Sequence, residues 1–171
     1  MVKLSGGSRS LKGGSREYSR REVEFHQLMN SGRYSSGYFS DKGGGYYIVE
    51  NSRAKHKPEE LEAARFMADK GYIVTLTDEA GSVKTPDGKI FRASFEQSTP
   101  EGDSVNNFNK CLNHAKEKPD ATAAVVYQKK GRHTKETIRQ AIKSYSEHNN
   151  KKLDVYVITR DGRIHRWRTH E

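Results

Sequence analysis

From Gly43 onward the chain alternates strand-like and helix-like segments, and one hairpin interrupts the alternation. GGGYYIVE reads as a short strand at Tyr46–Glu50. HKPEELEAARFMADKGY reads as a helix. Pro58 suits its first turn, Glu59 and Glu60 suit the positive end of its dipole, and Gly71 supplies the stop. YIVTLT (72–77) is a strand, and VKTPDGKIFRASFEQ is a hairpin with Asp87-Gly88 at its turn. Ser104 can cap a helix running to about Lys116, and Thr134 can cap another. TAAVVYQ and LDVYVIT are strands, and Asp161-Gly162 turns the chain into RIHRWR. The order is β, α, β, β-hairpin, α, β, α, β, β. Such an order predicts an α/β (α+β) domain with a mixed central sheet flanked by helices.

The helical stripes identify the expected core. Leu61, Ala64 and Ala68 form one, with Phe66 and Met67 at its edge. Val105, Phe108, Leu112 and Ala115 form a second, and Ile138, Ala141, Ile142 and Tyr145 a third. Cys111 falls on the apolar side of its helix and is read as a small core residue. A single cysteine excludes an internal disulfide and a multi-cysteine zinc site.

Ahead of this core the composition changes. Hydrophobic residues make up only 32% of the 171 residues, and the deficit sits at the N-terminus. Residues 1–15 are Gly, Ser and basic residues, which bury too little apolar surface to offset ordering entropy, so they read as a linker. Residues 16–42 read as a helical arm, with Val23, Leu28 and Met29 near one face and Gly32 at its end. The ordered domain is expected over 43–171.

Lys and Arg total 31 against 22 Asp and Glu, a net charge of +9. A basic domain of this size attracts polyanions, nucleic acid first among them. No apolar run approaches membrane-spanning length, and the N-terminus lacks the apolar stretch of a secretion signal. A cytoplasmic protein with no membrane partner is expected.

Several segments carry a resemblance: GGGYYIVE, EELEAARFMADKGYIV, TPDGKIFRASFEQS, the NHAKEK helix end and the ITRDGRI hairpin. In them the chain resembles the C-terminal tRNase-like domains of contact-dependent growth inhibition toxins. It is also similar to domains at the C-termini of phage head-morphogenesis (minor capsid) proteins, and both groups look like members of the PD-(D/E)xK nuclease superfamily. The resemblance implies a nuclease acting on RNA rather than DNA, with an immunity protein or a phage capsid as its context. It implies that Asp87 and Glu96 hold Mg2+ or Mn2+, with Glu60 at the family's helical Glu position. Carboxylates suit such hard cations, which activate water and neutralise a phosphate oxyanion. Two residues beyond Glu96, where the family pattern has Lys, this chain has Ser98.

The residues themselves leave a second register open. KIFRASFEQ alternates, with Phe91, Ala93 and Phe95 on one face and Ile90, Arg92, Ser94 and Glu96 on the other. As one strand leaving an Asp87-Gly88 turn, it would separate Asp87 from Glu96 by about 30 Å, too far to share a metal. Arg92 and Ser94 would then occupy the acid and Lys positions, and Glu96 would approach Asp78 and Glu79.

Other candidates stand beside these. Gln97 ends the same strand at a loop mouth. His114 and Lys116 end a helix, where the dipole favours cations. Lys116 could replace the missing Lys, and His114 could serve as an acid–base group in metal-free RNA cleavage. Lys129, Lys130, Arg132 and His133 precede a helix N-terminus, a natural phosphate site. Arg166 and Arg168 share one face of the last strand with Ile164, while His165 and Trp167 share the other. Two functions fit: a ribonuclease, or a catalytically degenerate nuclease fold serving as a nucleic-acid-binding or phage-assembly module.

Overall fold

The computed structural model describes residues 10–51, 55–77 and 85–171. They form two compact units. One holds the described residues up to Thr77 together with Asp87–Arg92, and the other holds Thr85–Pro86 and Ala93–Glu171. Asp78 and Glu79, and most of the expected 1–15 linker, lie outside the described residues. The α/β class with mixed strand pairing is what the sequence predicts.

The first unit runs α1 (Arg16–Asn30), β1 (Tyr34–Phe39), β2 (Tyr46–Glu50), α2 (Pro58–Asp69), β3 (Ile73–Leu76) and β4 (Gly88–Ile90). Ser15 caps α1 by accepting the Tyr18 N–H. β1 pairs antiparallel with β2, β2 parallel with β3, and β3 antiparallel with β4. Phe25, Tyr46 and Ile48 form a small core with Leu28, Met29, Tyr34, Phe39 and Ile73 packed against it. The glycines ahead of β2 have a packing reason. A Cβ on Gly43 would lie 2.1 Å from the Asp69 carbonyl oxygen, and one on Gly45 2.4 Å from that of Tyr72. Only glycine lets the chain pass so close to the end of α2.

Three expectations are corrected in this unit. Residues 34–39, placed in a helical arm, form β1. YSSGYF has weak strand propensity, and its pairing with β2 decides the outcome. Val23 is 57% exposed, and Phe25 is the residue of α1 that is buried. In α2 the buried stripe is Glu60, Ala63, Ala64, Met67 and Ala68, so Met67 is central and Leu61 lies at the edge.

The Asp87-Gly88 turn is also overturned. Asp87 leads into β4, and its carbonyl accepts the Thr77 N–H at 3.0 Å. Val74 pairs with Ile90 and Leu76 with Gly88. The Phe91 N–H donates to the Ile73 carbonyl at 2.7 Å, and the chain then turns at Phe91–Arg92. Phe91 takes φ +53°, costly for a bulky residue. Its ring lies 6.1 Å from that of Tyr72 and beneath the Arg21 guanidinium at 5.9 Å, contacts that offset part of the strain. The ladder with β3 outweighs the turn preference of Asp-Gly, and KIFRASFEQ is two strands, not one.

The second unit runs β5 (Ala93–Ser98), α3 (Val105–Glu117), β6 (Ala123–Gln128), α4 (Lys135–His148), β7 (Asp154–Thr159) and β8 (Ile164–Arg168). Ser104 and Thr134 cap α3 and α4 through Asn107 N–H and Thr137 N–H, as read from the sequence. β5, β6 and β7 are parallel, and β8 returns antiparallel through the Asp161-Gly162 turn. Every residue of β6 is buried. Phe108, Leu112, Ile138, Ile142 and Tyr145 of the two helices pack with Ala124, Val126, Val155, Val157 and Trp167 of the strands. Among the described residues no helix is long and apolar enough to cross a membrane.

Candidate functional site

In the first unit, Glu60 is buried at the third position of α2. Its Oε2 accepts the Lys57 N–H at 2.9 Å and lies 3.0 Å from His56 Nδ1. This capping geometry meets the needs of the helix end. His56, which the sequence reading passed over, is buried with Glu60, and its Nε2 has no hydrogen-bond partner. Asp87 is buried at the start of β4 in the same unit.

The second unit gathers more chemistry. Side chains alternate along β5, so Glu96 and Ser98 share a face, about 7 Å apart along the strand. Both meet the C-terminal half of α3. Glu96 is buried, and its Oε2 lies 3.3 Å from Lys118 Nζ. Lys118 caps the end of α3 and also donates to the Thr85 carbonyl at 3.1 Å, which fixes the ammonium from two sides. Ser98 Oγ lies 3.4 Å from His114 Nδ1. Burial pushes the Cys111 thiol up to about 11, partly opposed by the Ser98 hydroxyl.

Glu96 and His114 are therefore brought to one row, and the lysine that reaches Glu96 is Lys118. Lys116 is exposed on the same helix end. Gln97 points to the other face of β5 and donates to Thr99 Oγ1 at 2.9 Å. Lys118 was not found from sequence because it stands 22 positions beyond Glu96 (118 − 96). A helical crossover, not local spacing, returns it to the strand.

A second concave region lies at the C-terminal ends of β6 and β7, where parallel strands commonly present ligand sites. Lys129 and Arg132 line one cleft of about 530 Å³, and Arg132 and His133 line an adjoining one of about 600 Å³. The loop carrying them is clamped. Gly131 N–H donates to the Pro100 carbonyl at 3.0 Å, Arg132 N–H to Asp103 Oδ1 at 3.2 Å, and Lys130 pairs with Glu101 at 3.0 Å. A Cβ on Gly131 would sit 2.2 Å from the Gly102 carbonyl oxygen. His133 is buried edge-on against Phe108, with Nδ1 3.4 Å from Gln128 Nε2. Burial pulls its pKa below the ordinary 6.5, while Asp103 and the Ser104 carbonyl oppose that shift.

Arg166 and Arg168 are not part of this group. Arg166 stacks over Tyr156 at 4.9 Å, and Arg168 pairs with Asp154 at 3.1 Å and with Glu171 at 3.6 Å. The opposite face of β8, His165 and Trp167, lines the cleft instead.

Among the described residues, no three His, Cys, Asp or Glu side chains gather closely enough to hold a metal ion. The cation at Glu96 is the Lys118 ammonium.

No family model and no curated protein matches the sequence. Among solved structures the chain is similar to a chain of a CdiA-CT/CdiI toxin and immunity complex from Burkholderia pseudomallei. The TM-score is 0.54 and the identity 23%, over 70% of this chain and 97% of that chain. A likeness at that identity is one of fold.

Proposed function

We propose that this chain is a toxin-type ribonuclease domain whose reacting groups lie along β5 and the end of α3. The observation that carries the reading is the pairing of buried Glu96 with the partly exposed Lys118. It sets a carboxylate beside an ammonium, the two kinds of group the nuclease pattern uses, with the lysine coming from the end of α3 and not from position 98. Glu96 takes the proton from the attacking hydroxyl. Lys118 neutralises charge developing on the phosphate oxygens, and His114 gives a proton to the leaving oxygen. The excess of cations draws the RNA backbone in. The fold shared with a protein from a toxin and immunity complex supports a toxin role, and a neutralising protein is the partner that reading implies. No step is routed through a metal.

The test is incubation of the intact protein with total tRNA in magnesium, in manganese and in chelator. Cleavage in all three, reduced at least a hundredfold in Glu96→Gln and in Lys118→Met, supports the reading. Intact RNA under every condition sinks it. Ser98, standing where the family pattern has Lys, favours one second reading, a degenerate nuclease fold that binds nucleic acid or serves phage assembly. That reading requires salt-sensitive RNA binding without turnover.

A further inference from the structure

We infer that the cleft at the N-terminus of α4 is a nucleotide-binding site, with the phosphate at its mouth and polar atoms of the sugar or base at its floor. The floor provides the first observation. His133 and Trp167 are 6% and 1% exposed, and His133 Nε2 and Trp167 Nε1 have no hydrogen-bond partner. Both side chains line the same cleft. Leaving a buried polar atom unpaired is unfavourable, so two beside one cleft point to something that satisfies them. Indole Nε1–H only donates, so the occupant must present an acceptor there.

The mouth provides the second. The cleft opens at the N-terminus of the 14-residue helix α4, where backbone N–H groups favour an anion. Arg132 and Arg163 line both this cleft and the adjoining one. Asp103 is the one carboxylate among the residues lining the inner cleft, and its Oδ1 already accepts the Arg132 N–H. An outer anion and inner acceptor atoms within about 600 Å³ describe a nucleotide, and that volume is in the usual range for a small-molecule site. Inorganic phosphate would fill the mouth and leave the floor unpaired. The site is separate from the Glu96–Lys118 row and does not depend on cleavage there.

The chain has one tryptophan, Trp167, so its emission reports the floor directly. The experiment titrates the four ribonucleoside monophosphates, their nucleosides and inorganic phosphate into the intact protein. At least one monophosphate is expected to change the emission saturably and to bind more tightly than phosphate or its nucleoside. Arg132→Gln, an exposed substitution, should weaken it about tenfold, the worth of one charge-assisted contact. Lys152→Gln, exposed ahead of β7 and so at the far end of that strand from the cleft, should leave it unchanged. A short RNA with a terminal phosphate that displaces the mononucleotide identifies an RNA end as the source, and failure to displace it identifies the free nucleotide. Repeating the titration in Glu96→Gln separates loss of cleavage from loss of binding. No saturable response to any monophosphate, or equal weakening by Arg132→Gln and Lys152→Gln, overturns the inference.

Discussion

Replacing Gly131 by alanine should destabilise the second unit by about 2–3 kcal/mol, although it adds only a methyl group. The added Cβ would stand 2.2 Å from the Gly102 carbonyl oxygen and 2.8 Å from its carbon, both backbone atoms with little freedom to move. Relief needs roughly 1 Å of separation between the 129–133 and 100–103 loops. That displacement breaks the Gly131–Pro100 and Arg132–Asp103 bonds, now 3.0 and 3.2 Å. Two hydrogen bonds at about 1 kcal/mol each, plus residual overpacking, give the stated figure. Urea unfolding followed by Trp167 emission reads the second unit, because that ring is buried in its core. For a chain of this size the loss corresponds to about 5–10 °C in Tm. Gly13→Ala is the matched control. Nothing lies within 4 Å of its Cβ, so the Trp167 transition should not move. A Gly131→Ala midpoint within about 0.5 kcal/mol of the parent would refute the argument, since the loops would then separate without cost.

Further outcomes are expected elsewhere. Lys118→Met should destabilise by about 1–3 kcal/mol, because it leaves the buried Glu96 carboxylate facing no ammonium. Adding Glu96→Gln should recover part of that loss, and strict additivity in the double-mutant cycle would show that the pair is not coupled. The His133 ring resonances should titrate with a midpoint below 6.5, the direction set by burial. The unfolded chain then holds more protons at this site as pH falls below 6.5. The stabilisation is therefore present above 6.5 and is lost as pH drops through the lowered value; a midpoint at or above 6.5 counts against this. With its thiol pushed up to about 11 and buried, Cys111 should resist alkylation at pH 8 in the folded protein and react at once in urea. Equal rates in both would show that α3 opens readily.

What could be read from the sequence was whatever local chemistry decides. Ser104 and Thr134 announced two helices because a hydroxyl at that position satisfies an otherwise unpaired N–H. Asp161-Gly162 announced the last hairpin, and the stripes on α3 and α4 named the core. Phe91 shows where local chemistry fails. Asp87-Gly88 is the better turn by composition, but the ladder to Val74 and Leu76 carries Asp87 into an extended segment and moves the turn to a residue that resists it. The candidate site was half legible. Glu96 and His114 were named as residues worth watching, and the loop from Lys129 to His133 as an anion contact. Lys118 was not, because its role exists only after α3 is folded back on β5.

Strand β6 also governs how the second unit can assemble. It is parallel to both of its neighbours, so neither pairing can close as a local hairpin; one waits for α3 to cross over, the other for α4. Of the strand pairs in that unit, only β7–β8 can form between near neighbours in sequence. Folding rate in this half should therefore be set by two long-range closures and not by helix formation, and substitutions that merely strengthen α3 or α4 should speed it little. During synthesis, β6 has no second edge to pair with until the chain has grown past Asp154, and its apolar length is exposed to wrong partners for that interval.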